Sequence, residues 1–157
     1  MRQRTETPQA VYIHIPFCAN KCHYCDFNSY VLDGQPVDEY LDALEREMAA
    51  TVSAVPPQTV RALYIGGGTP TVLTARQLER LLKAVRDHFP DWSENVEFTV
   101  EANPGTVDPE KLRALREGGV NRLSFGAQSF DDGLLAALGR TLTAADVERS
   151  VGLAREA

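Results

Sequence analysis

The chain has 157 residues, 43% of them hydrophobic, with a net charge of −6 and a sequence pI of about 5.1. That length suits one domain with a sizeable core, and the acidic balance argues against nucleic acid or an anionic membrane surface as partner. No run is apolar for long enough to span a bilayer and Met1-Arg2-Gln3-Arg4-Thr5-Glu6 opens no signal peptide, so a cytoplasmic protein with reduced thiols is expected, behind a disordered N-terminus over residues 1–9.

Alternation predicts a first strand from Val11 to Pro16, with Tyr12 and His14 on one face and Val11, Ile13 and Ile15 on the other. Directly after it comes Cys18-Ala19-Asn20-Lys21-Cys22-His23-Tyr24-Cys25, which contains all 3 cysteines of the chain in a C-x-x-x-C-x-x-C spacing. An odd number of thiols so close together is a poor disulfide framework. Three readings stay open. A zinc ion would need a fourth ligand, for which His14 or His23 is available. An iron–sulfur cluster normally takes four thiolates, so three would leave one iron open to a substrate or cofactor. The thiols can also be inert.

Residues 26–35 read as irregular, with a turn at Asp33-Gly34. Val37, Tyr40, Leu41, Leu44, Met48 and Val52 then recur at helical spacing, and Pro56-Pro57 ends that helix. A second strand, Arg61 to Ile65, runs into Gly66-Gly67-Gly68-Thr69-Pro70, where free N–H groups can form an anion nest or carbonyls can accept from an ammonium. Thr74 and Gln77 make a capping box for a helix over residues 75–89. The third strand, Val96 to Glu101, leads into Ala102-Asn103-Pro104, and Asp108 with Pro109 starts a helix that Gly118-Gly119 ends. The fourth strand, Val120 to Phe125, runs into Gly126-Ala127-Gln128-Ser129; a short helix over residues 132–138 and another capped by Thr143 follow.

Strands alternating with helices predict an α/β fold with a parallel sheet. Each chemically notable stretch follows the C-terminal end of a strand, and all of them meet only if the sheet curves as in a barrel. Four units are too few for a closed barrel of eight, which takes about 250 residues. The expectation is therefore the N-terminal part of a longer protein, with residues 10–157 forming its truncated core domain.

Several residues carry both a chemical and a plain reading. Glu101 is a ligand contact or a solvated carboxylate; Gln128 meets ribose hydroxyls or caps the helix near Asp131. Arg140 forks onto a ligand carboxylate or is a solvated residue at a helix end. His88 reads as a partner of the helix dipole and His23 as an exposed loop residue. Tyr12 and His14, on one strand face just before the cysteines, are the candidate catalytic side chains.

Tyr12-Ile13-His14-Ile15-Pro16-Phe17-Cys18 through Cys25-Asp26-Phe27, then Gly66 to Pro70, then Arg122 to Ser129, together resemble the radical S-adenosylmethionine superfamily. They are most similar to the branch that contains the oxygen-independent coproporphyrinogen III oxidases and the related haem chaperones of the HemW type. The resemblance covers residues 11–157. It implies a partial (β/α)6 TIM-like barrel, of which about the first four units are present, holding a [4Fe–4S] cluster on Cys18, Cys22 and Cys25. The open iron would bind S-adenosylmethionine, which cluster reduction would cleave to methionine and a 5′-deoxyadenosyl radical. By the same resemblance Gly67, Gly68 and Thr69 would hold the methionine end, Arg140 its carboxylate, and Tyr24 would lie against the adenine. Glu101 and Gln128 would contact polar groups of the cofactor, with Tyr12 beside the cluster.

The decarboxylating oxidases that this chain resembles carry a fourth cysteine where Phe27 stands, and the chaperone branch commonly has a histidine where Leu142 stands. The first functional expectation is a haem chaperone, with haem or porphyrin as ligand, an electron donor for the cluster and haem-accepting proteins as partners. The second is a coproporphyrinogen III oxidase. The third is a structural metal module without catalysis.

Overall fold

The structure, a computed structural model, describes residues 8–157. The disorder expected for residues 1–9 therefore falls, for residues 1–7, outside the described residues.

Strands β1 (Ala10–Ile15), β4 (Val60–Gly67), β5 (Trp92–Ala102) and β6 (Arg122–Phe125) form one parallel sheet in the order β1-β4-β5-β6. Two-residue strands β2 (Phe17–Cys18) and β3 (Tyr30–Val31) pair separately. Helices α1 (Val37–Ala54), α2 (Ala75–His88) and α3 (Pro109–Glu117) link the main strands, and α4 (Asp132–Ala137) and α5 (Ala144–Glu156) follow.

The sheet order decides between the two parallel architectures. Each new strand adds on the same side of the last, so right-handed crossovers deliver every linking helix to one face. That is how a barrel wall grows; a doubly wound sheet reverses direction once. The chain is thus α/β with a parallel sheet built as part of a barrel.

Register makes the two faces unlike. Ile13, Ile65, Val100 and Leu123 form one row across the sheet, on the side that α1 and α2 cover with Leu41, Met48, Leu78, Leu82 and Val85. Ile15, Leu63, Ile65 and Phe98 are essentially sealed from solvent there. Each such side chain contributes about 1.5–3 kcal/mol. The adjacent row, Tyr12, Tyr64, Thr99 and Arg122, is polar and belongs to the helix-free face.

Local chemistry explains the element ends. Thr74 and Gln77 complete the expected capping box of α2, Asp108 accepts from Lys111 N–H at α3, and Thr143 pairs reciprocally with Asp146 at α5. Two expectations shift. Strand one stops at Ile15 because Pro16 cannot donate to a ladder, and Phe17–Cys18 turns away to meet Tyr30–Val31, so the stretch read as irregular contains a strand. Strand four begins at Arg122 rather than Val120. Just before it Asn121 pairs with β5 through both backbone and side chain, its N–H donating to the Phe98 carbonyl at 3.1 Å while its amide accepts from Phe98 N–H at 2.9 Å and donates to the Val96 carbonyl at 2.8 Å. No helix among the described residues is long and apolar enough to cross a membrane.

Candidate functional site

At the C-terminal ends of β2, β4, β5 and β6 the chain encloses a cavity of about 360 Å3. This falls in the range of small-molecule sites, roughly 300–1,000 Å3. Cys18, Cys22 and Cys25 all line it, each half-buried and unoxidised. Tyr24, Gly67, Gly68, Thr69, Glu101, Gln128 and Arg140, singled out from the sequence, line the same cavity.

The cysteine loop is held at both ends. Tyr30 N–H donates to the Pro16 carbonyl at 2.7 Å and Leu32 N–H to the Cys18 carbonyl at 2.9 Å. Inside the loop the Lys21 ammonium donates to the Phe27 carbonyl at 2.9 Å and to the Ser29 hydroxyl at 3.1 Å. Cys25 N–H donates to the Cys22 carbonyl at 3.1 Å, closing a turn that brings the second and third thiols round together. The loop is also fastened to the turn after α4. Asn20 donates to the Gly139 carbonyl at 3.0 Å, and His23 donates through its backbone to Leu138 and through Nδ1 to Ala137. His23, exposed by area as expected, is therefore an anchor and not a free loop side chain.

The glycine turn does not form the anion nest. Gly67 N–H is taken by Glu101 at 3.0 Å, Gly68 N–H by the Ile15 carbonyl at 2.8 Å and Thr69 N–H by the Phe17 carbonyl at 2.7 Å. All three donors are spent on neighbouring strands. Glycine is required for a different reason. A Cβ on Gly68 would stand 2.6 Å from the Phe17 carbonyl oxygen, and Gly67 at φ +113° has the His14 ring in the space a side chain would need.

Glu101 accepts from both Gly67 N–H and the Tyr64 hydroxyl, the latter at 2.7 Å. Burial first, then the hydrogen bond to this carboxylate, push the Tyr64 phenol up to about 12. Gln128 is the only non-glycine residue at positive φ among the described residues (φ 67°). Such a backbone costs of order 1 kcal/mol and marks a place where the surroundings dictate the chain's path. Gln128 does not cap the next helix; Asp131 does, accepting from Leu134 N–H.

Arg140 is no solvated helix-end residue. Its Nη2 donates to the Asn103 side-chain oxygen and to the Gly126 carbonyl, and Nη1 approaches the Cys22 sulfur at 3.6 Å. Its Nε is buried without a hydrogen-bond partner among the described residues, an unspent donor on a residue of the cavity wall. Burial raises the Tyr24 phenol, against the opposing pull of Arg140. Leu142 is buried with Leu135 and Val147 beneath α4 and α5.

Tyr12 and His14 lie outside the cavity lining. Tyr12 is 59% exposed, its ring stacked on Tyr64. His14 donates from Nε2 to the Asn28 carbonyl at 2.9 Å, which leaves Nδ1 to accept from the Tyr12 hydroxyl at 2.8 Å. Both ring nitrogens are engaged within the protein, so neither is spare as a fourth metal ligand. A single zinc ion would draw its thiolates to about 2.3 Å from one point. No group of three His, Cys, Asp or Glu side chains among the described residues is arranged around one such point. Three half-buried thiols lining one cavity are a donor set of the kind a thiolate-bound cluster takes.

Asn20, Lys21 and Asn103 were not singled out by sequence reasoning. Their signal was position alone: two polar side chains between the cysteines and one at a strand's C-terminal end before proline.

The model of the Radical SAM superfamily matches residues 12–157. Over 94% of its length the chain is 49% identical to the haem chaperone HemW of Bacillus subtilis, covering 39% of that protein. It is 42% identical to the oxygen-independent coproporphyrinogen III oxidase of a Synechocystis species over 86% of its length, covering 29% of the relative. Among solved structures, the coproporphyrinogen III oxidase HemN of Escherichia coli superposes with a TM-score of 0.87 at 36% identity, covering 96% of this chain and 35% of that one. The chain spans about two-fifths of the length of the chaperones it matches.

Proposed function

The chain belongs to the Radical SAM superfamily, and on that premise we propose that Cys18, Cys22 and Cys25 hold a [4Fe–4S] cluster whose open iron takes S-adenosylmethionine, in a protein that handles haem. The observation that carries this reading is the convergence of the three thiols and Arg140 on one cavity. When bound, the pair of cofactors supplies one-electron chemistry at the sulfonium. The remaining work falls to the chain's own residues.

Arg140, on the cavity wall beside Cys22, meets the ligand carboxylate. The glycine turn, its N–H groups committed elsewhere, offers carbonyl oxygens to the ligand ammonium. Tyr24, beside Cys25 on the cavity wall, packs on the adenine, and Gln128 reaches its polar groups. Glu101 acts mainly as a wall, tying β5 to the glycine turn. Tyr12 and His14 support that wall from the polar face of the sheet. In this reading the protein works in the cytoplasm, with an electron donor and haem-accepting proteins as its partners.

Between the two named activities, the chaperone is favoured by the higher identity to HemW and by Phe27, 71% exposed on the cavity wall where the oxidases this chain resembles carry a cysteine. The oxidase reading keeps the structural match to HemN in its favour. Anaerobic incubation of the full-length, cluster-loaded protein with coproporphyrinogen III, S-adenosylmethionine and reductant separates them. The expected result is no protoporphyrinogen IX, with haem binding in a parallel titration. Product over many turnovers would overturn the chaperone reading.

A further inference from the structure

The Arg140 guanidinium is held by the Asn103 side chain together with the Gly126 carbonyl. Asn103 directly follows β5, and its side-chain oxygen accepts from Arg140 Nη2. Asn103 is itself fixed from behind. Its N–H points to the Thr71 hydroxyl at 3.4 Å, and its carbonyl accepts from the Thr106 hydroxyl at 2.6 Å and from Thr106 N–H at 3.0 Å. The hydroxyls of Thr71 and Thr106 lie 2.6 Å apart, and Thr71 is fully buried. Lys111, on α3, donates its ammonium to the carbonyls of Thr71 and Thr106 at 2.9 and 3.0 Å. Gly105 N–H donates to Ser150 of α5 at 3.1 Å. The short loop after β5 is thus pinned from three sides, by Thr71, by Lys111 of α3 and by Ser150 of α5, and the one side-chain acceptor it presents to Arg140 is Asn103.

We propose that Asn103 is a positioning residue: as a rigid, uncharged acceptor it shares Nη2 with the Gly126 carbonyl and holds the guanidinium on the cavity wall with Nη1 turned to the Cys22 sulfur, where the fork meets a ligand carboxylate. This rests on the reading of Arg140 given above and adds the residue that orients it. The choice of an amide matters. An aspartate would accept from the same Nη2 but would neutralise the guanidinium, whereas the amide oxygen orients the group and leaves its full charge for the ligand. A free guanidinium on a flexible stem would lose the fork's preorganisation.

The test uses anaerobically reconstituted protein with iron and sulfide content checked for each variant. Affinity is read from the change in the reduced EPR signal as ligand is titrated, for S-adenosylmethionine and for its decarboxylated analogue. Asn103→Ala is expected to weaken S-adenosylmethionine binding about tenfold, the scale of one hydrogen bond to a charged group, and to leave the analogue's affinity unchanged. Asn103→Asp, which keeps the acceptor and the shape, is expected to weaken it at least as much. In an Arg140→Lys background, Asn103→Ala should add no further loss. Equal weakening of both ligands, or the same loss in both backgrounds, would mean a structural role and overturn the inference. A wild-type protein that binds the two ligands equally well would instead refute the assignment of Arg140 to the carboxylate, and Asn103's role with it.

Discussion

Glu101 at the end of β5 accepts the backbone N–H of Gly67 at 3.0 Å, so two strand ends that line the cavity are locked to each other by one carboxylate oxygen. The other oxygen takes the Tyr64 hydroxyl at 2.7 Å. A glutamine at this position has one acceptor oxygen for two donors. Glu101→Gln is therefore expected to lower unfolding stability by about 1–3 kcal/mol, the cost of leaving one half-buried donor unmet. Denaturant unfolding of the two proteins checks it; an unchanged midpoint would mean that the donors find water.

The pair also sets an alkaline limit. The folded protein keeps the Tyr64 proton until about pH 12, whereas a free tyrosine releases it near 10.0. The folded state then binds more protons than the unfolded chain between those values, so Tyr64's contribution is complete below about pH 10 and is lost as pH rises through 12. Tyr64→Phe should flatten the fall in stability across that window, read by unfolding at a series of pH values. A variant whose stability falls as steeply as the parent's would remove Tyr64 from the account.

Two glycine-to-alanine changes should have opposite signs. In Gly68→Ala the new methyl meets the Phe17 carbonyl at 2.6 Å, and that backbone is tied into the β2–β3 pair, so about 1–3 kcal/mol of overpacking is expected together with a displaced cysteine loop. Gly152, inside α5, has nothing within 4 Å of its would-be Cβ, and Gly152→Ala should stabilise by about 0.5–1 kcal/mol. Thermal unfolding of both variants reads the signs directly.

Arg140→Lys keeps the charge but not the geometry that reaches Asn103, Gly126 and Cys22 at once. Loss of a planar charge-assisted pair worth about 1.5–3 kcal/mol predicts roughly ten- to hundredfold weaker S-adenosylmethionine binding with the cluster intact. Unchanged affinity would assign Arg140 to the fold alone.

Much of this was legible because local chemistry writes itself into spacing. The apolar alternation of Val11, Ile13 and Ile15, the Thr74–Gln77 box and the Asp108-Pro109 start each depend on residues within one element, and each stands where the pattern put it. Placing the cysteines, the glycines, Glu101 and Gln128 around one mouth needed only the rule that parallel strands bring their C-terminal ends together, whereas Arg140, which follows α4, was placed there by the family resemblance. What stayed hidden depends on partners far along the chain. The β2–β3 pair is too short to show a period. The glycine N–H groups looked free because their acceptors, Ile15, Phe17 and Glu101, are supplied by other strands. Asn103 gained its meaning from Arg140, and Lys111 from carbonyls on two loops.

The central claim is that three thiols hold a cluster with one open iron. Its most direct test is iron and acid-labile sulfide per chain after anaerobic reconstitution, followed by EPR of the reduced protein with and without S-adenosylmethionine. The account predicts about four irons and four sulfides, with a signal that changes when the cofactor is added. One tightly bound zinc per chain without sulfide, or a cluster whose signal ignores the cofactor, would contradict it.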